Sequence, residues 1–369
     1  MTQTPTDLDR RFMAACIRLS RRHLGQTGTN PSVGTLIVTS GGHGPEIVGR
    51  GITAIGGRPH AETVALAEAG ERARGATAYV SLEPCAHHGR TPPCAEALVS
   101  AGVSRVVAAS SDPDPRVSGK GYEILRAAGI EVVPGVLAED ALPVLSSYLI
   151  RSAKKRCQVT LKLAVSADGM IGRAAAGQVP ITGDVARAQS HVLRAEHDAI
   201  LVGIGTALAD NPELTCRLPG LGHRSPLRIV LDRHARLPVA SRLVQSVGDA
   251  PLAIATVAPD TETAQVLEGA GVRLLACEEH CGRIALPELL DDLAAQGISS
   301  LLVEGGAEVA RTFLEEGLAD RIVLFESDVV VGANGIAAPF SRATLPGGYV
   351  QSGEWLFGAD RCFEFTQES

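Results

Sequence analysis

His60 and Glu62 flank a single alanine in "PHAETVAL" (59–66), and Cys85 and Cys94 bracket eight residues in "EPCAHHGRTPPC" (83–94). Two thiolates and an imidazole form a donor set that suits zinc. A catalytic zinc takes three protein ligands and keeps a fourth position for water, whose pKa falls to about 7. A carboxylate that does not ligate the metal must then carry a proton from that water to a leaving group. The spacing predicts this division: His60, Cys85 and Cys94 as metal ligands, and Glu62 as the proton carrier, in the first turn of a helix begun after Pro59. Cysteines flanked by histidine, arginine, glycine and proline are poorly placed to be core residues.

The signature His-x-Glu…Pro-Cys-x-x-Cys, with this same assignment of roles, marks zinc deaminases of nucleobases. Here "HAE" and "PC" are present, but the longer cysteine spacing inserts "AHHGRTPP" as a loop, and Cys94 opens the helix "CAEALVSAG". A second feature with chemical potential is "VEGG" (303–306), an apolar strand turning into an amphipathic helix. Free backbone amides at such a helix start can hold phosphate oxygens, and Gly305 and Gly306 let a ligand approach closely. A third, "CEEHC" (277–281), gathers Cys277, His280 and Cys281 without a further ligand pair at suitable spacing, and is read as no metal site.

The elements that must position these groups alternate along the chain. Strand-like "TLIVT" (35–39), "TAYVSL" (77–82) and "RVVAAS" (105–110) interleave with helical "DLDRRFMAACIRLSRRHLG" (7–25) and "AETVALAEAGERA" (61–73). That alternation predicts an α/β domain over residues 1–150. The polar, basic "RSAKKRC" (151–157) reads as a linker to a second domain over 151–369. Its strand-rich segments include "QVTLKLAVSADG" (158–169), "DAILVGIGTALAD" (198–210), "PLRIVLD" (226–232) and "DRIVLFESDVVVG" (320–332).

The chain has 369 residues, long for one core, and 45% are hydrophobic but only 3% aromatic, so aliphatic side chains supply most burial. A net charge of −7 and few aromatics argue against nucleic-acid binding. No apolar run is long enough for a membrane span, and eight irregularly placed cysteines do not form a disulfide framework. The expected compartment is the cytoplasm, with no membrane partner.

The segments "NPSVGTLIV" (30–38), "RPHAETVAL" (58–66), "AYVSLEPCAHHGRTPPCAEAL" (78–98) and "DPDPRVSGKG" (112–121) closely resemble the bacterial bifunctional riboflavin-biosynthesis enzymes. Those fuse a diaminohydroxyphosphoribosylaminopyrimidine deaminase to a 5-amino-6-(5-phosphoribosylamino)uracil reductase. The resemblance spans essentially the whole chain. It implies a cytidine-deaminase-like three-layer α/β domain followed by a dihydrofolate-reductase-like α/β domain. It also implies one zinc per chain, NADPH as reductant, small pyrimidine ribotides as substrates, and a homo-oligomer. The implied reactions are hydrolytic deamination and then reduction of the ribosyl side chain to ribityl. In the first domain it implies substrate contacts at Asn30, His87, Arg90 and Asp112, with His88 on the same loop; Arg90 also suits phosphate by its guanidinium fork. In the second, "LKLAVSADG", "RAEHDAILVGIGTALADNPELTCR" and "VEGG" carry the resemblance. They imply substrate contacts at Gln178, Arg194, Leu214, Arg217 and Glu304, and cofactor contacts at Ala164, Pro180, Thr206, Asp210, Arg233, Gly305 and Gly306.

Departures from that family's pattern bear on both halves. The first domain reads "DPDP", with Asp114 where the family usually has asparagine. The second reads "QVPITG" (178–183), so Gln178 stands for a serine and Pro180 for a tryptophan, while the sole tryptophan is Trp355. "VLDR" puts Arg233 in place of a serine, where it would clash with the cofactor or bond its 2′-phosphate. The alternative reading is therefore a deaminase whose C-terminal domain is weakly active or inactive.

Overall fold

The computed structural model describes residues 4–42, 44–88, 92–114, 117–174 and 177–368. The chain forms two compact units, Met1–Lys155 and Arg156–Ser369.

In the first unit the elements run α1 (Asp7–Ser20), β1 (Gly34–Gly41), β2 (Gly44–Ile52), α2 (Ala61–Ala69), β3 (Thr77–Leu82), α3 (Cys94–Ser100), β4 (Arg105–Ser110), α4 (Lys120–Ala127), β5 (Glu131–Val133) and α5 (Ala138–Lys154). A reciprocal cap starts α1: the Asp9 amide donates to the Thr6 hydroxyl, and the Asp9 carboxylate accepts from the Thr6 amide. The sheet order is β2-β1-β3-β4-β5, antiparallel across β2-β1-β3 and parallel across β3-β4-β5. A methyl on Gly34 would strike the Cys16 carbonyl of α1, and one on Gly51 the Ala61 carbonyl of α2. Gly51 pairs with Thr35, the neighbour of Gly34, so the two helices cover opposite faces and the unit has three layers.

Residues 151–154, expected in a linker, instead form the last turn of α5, and the units divide after Lys155. Arg151 and Lys154 suit a helix C-terminus, where cations oppose the negative end of the dipole. Lys155 then takes a left-handed conformation and donates its amide to the Arg151 carbonyl, closing the helix.

The second unit runs β6 (Gln158–Val165), β7 (Met170–Arg173), α6 (Asp184–Glu196), β8 (Ala199–Gly203), α7 (Ile204–Asp210), β9 (Leu227–Leu231), α8 (Arg242–Gln245), β10 (Leu252–Thr256), α9 (Glu262–Gly269) and β11 (Arg273–Ala276). It continues with β12 (Glu279–His280), β13 (Arg283–Ile284), α10 (Leu286–Ala295), β14 (Ser300–Val303), α11 (Ala307–Glu315), β15 (Arg321–Glu326), β16 (Gly335–Ala337), β17 (Tyr349–Phe357) and β18 (Asp360–Gln367). The main sheet has the order β11-β10-β9-β8-β14-β6-β15-β18-β17, parallel from β11 through β15 and antiparallel beyond. Strand residues alternate between two cores: Leu201, Ile229 and Ala253 pack on one face, Ile200, Val230 and Ile254 on the other. Both faces are therefore buried, as a parallel sheet requires.

Candidate active sites

Ligands of an open α/β sheet bind outside the carboxyl ends of its strands. Cys85 leaves the end of β3 and Asp112 the end of the adjacent parallel strand β4. His60 caps α2 and Cys94 is the first residue of α3. Among the described residues, His60, Cys85 and Cys94 form the one histidine, cysteine and carboxylate cluster able to hold a metal, with donor atoms within 4.8 Å of one another. The His60 Nδ1 lies 3.7 Å from the Cys85 Sγ and 3.4 Å from the Cys94 Sγ. Its Nε2 is buried without a partner. The Cys94 amide donates to the Cys85 sulfur at 3.3 Å, and hydrogen bonding from Cys94, together with His60, holds the Cys85 thiol well below its ordinary range. Two sulfurs and an imidazole nitrogen converging on one point fit zinc. "CEEHC" forms no such cluster; it lies at the small β12–β13 hairpin, and Cys277 bonds the Leu275 carbonyl.

Glu62 is 4% exposed, and burial, reinforced by the negative charge of Cys85, raises its carboxyl to about 7. The Cys94 thiol hydrogen-bonds it. A carboxyl balanced between its two protonation states near neutral pH is what proton transfer asks for.

Around this cluster, Asn30 sits half-buried in a turn closed by its backbone: its amide donates to the Thr27 carbonyl at 3.2 Å, and its carbonyl accepts from the Thr27 hydroxyl at 2.8 Å. His87 is half-buried with Nδ1 unpartnered, whereas His88 is exposed and faces Glu96 at 3.4 Å. Arg90 lies outside the described residues. Asp112, which the resemblance implies as a substrate contact, is only 6% exposed and is hydrogen-bonded within the protein. The Tyr148 hydroxyl donates to its two oxygens at 2.9 and 3.1 Å, and the Asp114 amide donates to Oδ1 at 2.9 Å. Sequence reasoning missed both Tyr148 and Glu83, whose buried carboxylate accepts the Asp112 amide.

In the second unit a cavity of about 1060 Å³ opens along the carboxyl ends of β9, β8, β14 and β6. It is lined by Ala164, Gln178, Pro180, Arg194, Thr206, Asp210, Arg217, Arg233, Glu304, Gly305 and Gly306 together, residues scattered between positions 164 and 306 of the sequence. Leu214 is not among the lining residues. It is 4% exposed, holds a left-handed backbone at φ 58°, and packs in the core beside α6 and β8. A branched apolar side chain on a turn that faces inward gains more from burial than from lining a polar cavity.

At one end of the cavity, Arg194 grips Glu304 by two bonds of 2.9 Å, and Lys162 stands 4.0 Å from the same carboxylate. Burial works to raise Glu304, yet Arg194 and Lys162 hold it at about 2. Burial, followed by Arg194 and Arg217, lowers His191 to about 4, so it lines the cavity uncharged. Lys162 and His191 were not singled out from sequence, although a lone lysine in "LKLAV" and a histidine one helical turn before Arg194 are the signals that mark them.

At the other end stand Arg233, His234 and Arg236, just past β9, with Arg283 of β13. Arg233 donates to the Gly282 carbonyl and lies 3.6 Å from Glu279. Between the ends, α11 begins at Gly306 without a side-chain cap, and the Gly306 amide donates to the Thr206 hydroxyl at 3.0 Å. A methyl on Gly306 would lie 3.0 Å from that hydroxyl, so glycine keeps the helix start open. One cavity lined both by the uncapped start of α11 and by arginines past β9 fits a phosphorylated dinucleotide.

Comparison with known proteins agrees with this division. The model for the "cytidine and deoxycytidylate deaminase zinc-binding region" matches residues 6–110, and that for the "RibD C-terminal domain" matches 157–346. The riboflavin biosynthesis protein RibD of Actinobacillus pleuropneumoniae is 41% identical over 91% of this chain and 88% of its own length. RibD of Escherichia coli is 39% identical over 92% of each. Among solved structures, RibD of Acinetobacter baumannii superposes with a TM-score of 0.84 at 35% identity, covering 98% of this chain and 99% of that one. The deaminase/reductase of Thermotoga maritima does so with a TM-score of 0.85 at 32% identity, with the same coverage.

Proposed function

The chain belongs to the RibD family of bifunctional riboflavin-biosynthesis enzymes, a zinc-binding deaminase domain joined to a reductase domain, and from that premise we propose how its residues share the two reactions. The first unit deaminates the diaminopyrimidine ribotide, and the second reduces the ribosyl side chain of the deaminated product with NADPH. The enzyme works in the cytoplasm as a homo-oligomer.

His60, Cys85 and Cys94 hold one zinc. When bound, zinc supplies the Lewis acidity that ionises water near neutral pH. Glu62 takes the proton released there and delivers it to the departing amine, so that water is consumed and ammonia leaves. Asn30 turns its side-chain amide to the pyrimidine, and His87 with Arg90 meets the polar parts of the ribotide. Asp112 acts from behind, shaping its loop. The observation that carries this reading is the convergence of His60 Nδ1 on both thiols with the buried Glu62 beside them.

In the reductase cavity, Glu304, Arg194 and Arg217, with Gln178, hold the substrate. Ala164, Thr206, Asp210 and the amides following Glu304 hold the cofactor, whose own chemistry supplies the hydride. Pro180 replaces an aromatic wall by a small rigid one. Arg233 and Arg236 take the 2′-phosphate, which favours NADPH over NADH. Titrating the purified chain with NADPH and NADH by nicotinamide fluorescence tests this end of the cavity. Arg233→Ser is expected to weaken NADPH by about tenfold or more and leave NADH nearly unchanged; equal weakening of both removes the phosphate assignment.

A further inference from the structure

Glu83 is a buried carboxylate that neither reaction uses. It is 3% exposed, and its backbone amide donates to the Ser110 carbonyl at 2.8 Å, extending the β3–β4 pairing by one residue. Its Oε2 accepts from the amides of Asp112 at 3.3 Å and Gly119 at 3.1 Å, and its Oε1 from that of Gly121 at 3.1 Å. Among the described residues, no cation pairs with it. A carboxylate withdrawn from water is tolerated only where hydrogen bonds replace the lost solvation, and here three backbone amides between the end of β4 and the start of α4 do so.

We infer that Glu83 is a positioning residue of the deaminase, a clamp that indexes Asp112, Gly119 and Gly121, which follow β4 and lead into α4, to the strand end carrying Cys85. The close approach is tight at both of its sides. A methyl on Gly121 would lie 2.1 Å from the carbonyl of Pro84, the residue directly before Cys85. Tyr148 of α5 ties the other side through the Asp112 carboxylate. Between Glu83 and Tyr148, the residues Asp112, Gly119 and Gly121 have little freedom to drift relative to the metal ligand, so a substrate seated against them meets a preformed surface. Such preorganisation acts on binding, which loose positioning weakens in the ground and transition states alike. The inference rests on Cys85 being a metal ligand and on these residues facing the substrate.

Full-length Glu83→Gln tests it, since the amide keeps the shape but turns an NH2 donor towards backbone N–H groups. Zinc content, thermal midpoint, and KM and kcat of both reactions are measured on one preparation. The expected result is a rise in deaminase KM of about tenfold or more, with kcat within about threefold, full zinc and unchanged reductase constants. Tyr148→Phe, which removes the second tether, is expected to raise the same KM by a smaller factor. Wild-type KM in Glu83→Gln overturns the inference, as does joint loss of zinc and of both activities. Should Glu83→Gln fail to fold, wild-type KM in Tyr148→Phe overturns it. Cys85→Ser separates the premise from the inference: full zinc in that variant removes the ligand assignment whatever the KM of Glu83→Gln.

Discussion

Arg194 on α6 and Glu304 at the end of β14 meet as a two-bond fork, with Nε and Nη2 each 2.9 Å from a carboxylate oxygen. The pair is nearly buried, at 12% side-chain exposure on both sides, and the Lys162 ammonium stands 4.0 Å from Oε2 of the same carboxylate. Glu304 is therefore a fixed negative charge at one end of the cavity, and Arg194 is oriented by it. Glu304→Gln removes the charge but not the shape. It is expected to lower reductase kcat/KM by about 100-fold while deaminase constants stay at wild type. Loss of both activities would point to a folding defect instead.

The zinc assignment separates two kinds of loss. Cys85→Ser is expected to abolish both zinc binding and deamination, because a hydroxyl does not replace a thiolate ligand. Glu62→Gln is expected to retain one zinc per chain and to lose about a thousandfold in deaminase kcat, since only the proton carrier is gone. Metal analysis alongside steady-state rates checks both, and full deaminase activity in Glu62→Gln removes that residue from its role.

These two sites were not equally legible in the sequence. The metal cluster was, because its residues fall in two short segments whose types and spacing are themselves the signal. The fold class followed from alternating periodicities, and "VEGG" was a strand-to-helix turn as its residues suggest. The Arg194–Glu304 fork spans 110 positions and leaves no local pattern. The engagement of Asp112 was hidden for the same reason: Tyr148, 36 residues away, reads as one more apolar position on an amphipathic helix. Residues 151–154 misled because a basic, polar stretch is equally a linker and a favourable last helical turn.

Arg228 is a fully buried cation in β9 held by backbone carbonyls and one hydroxyl. Its Nη1 donates to the Glu213 carbonyl at 3.0 Å and the Ser246 hydroxyl at 2.7 Å, and its Nη2 to the carbonyls of Ser246 and Ala250. Burial lowers this guanidinium to about 10. Arg228→Met leaves several carbonyls without a donor and is expected to cost about 3 kcal/mol or more. A urea titration followed by circular dichroism checks it. Arg228→Lys is expected to recover only part of the loss, because an ammonium has three donors and no planar fork. A loss under about 1 kcal/mol in the methionine variant would show that water replaces the guanidinium there.

His197, 6% exposed at the end of α6, is paired on both ring nitrogens, with Nδ1 2.6 Å from the Leu193 carbonyl and Nε2 3.0 Å from the Thr160 hydroxyl. The carbonyl can only accept, so Nδ1 carries a proton, while the Thr160 hydroxyl can serve either form of Nε2. Burial lowers the folded value from 6.5 to about 4. An unfolded chain therefore takes up a proton below about pH 6.5 that the fold resists. The contribution of His197 is fully present above pH 6.5 and is lost as pH falls towards 4. From this group alone, stability is expected to drop by about 2 kcal/mol between pH 7.5 and 5. His191, also lowered to about 4, acts in the same direction. His197→Gln has no proton to gain, so its urea midpoint is expected to change less over that interval than that of the wild type. Equal pH dependence in the two proteins would mean that His197 titrates in the fold as it does in the unfolded chain.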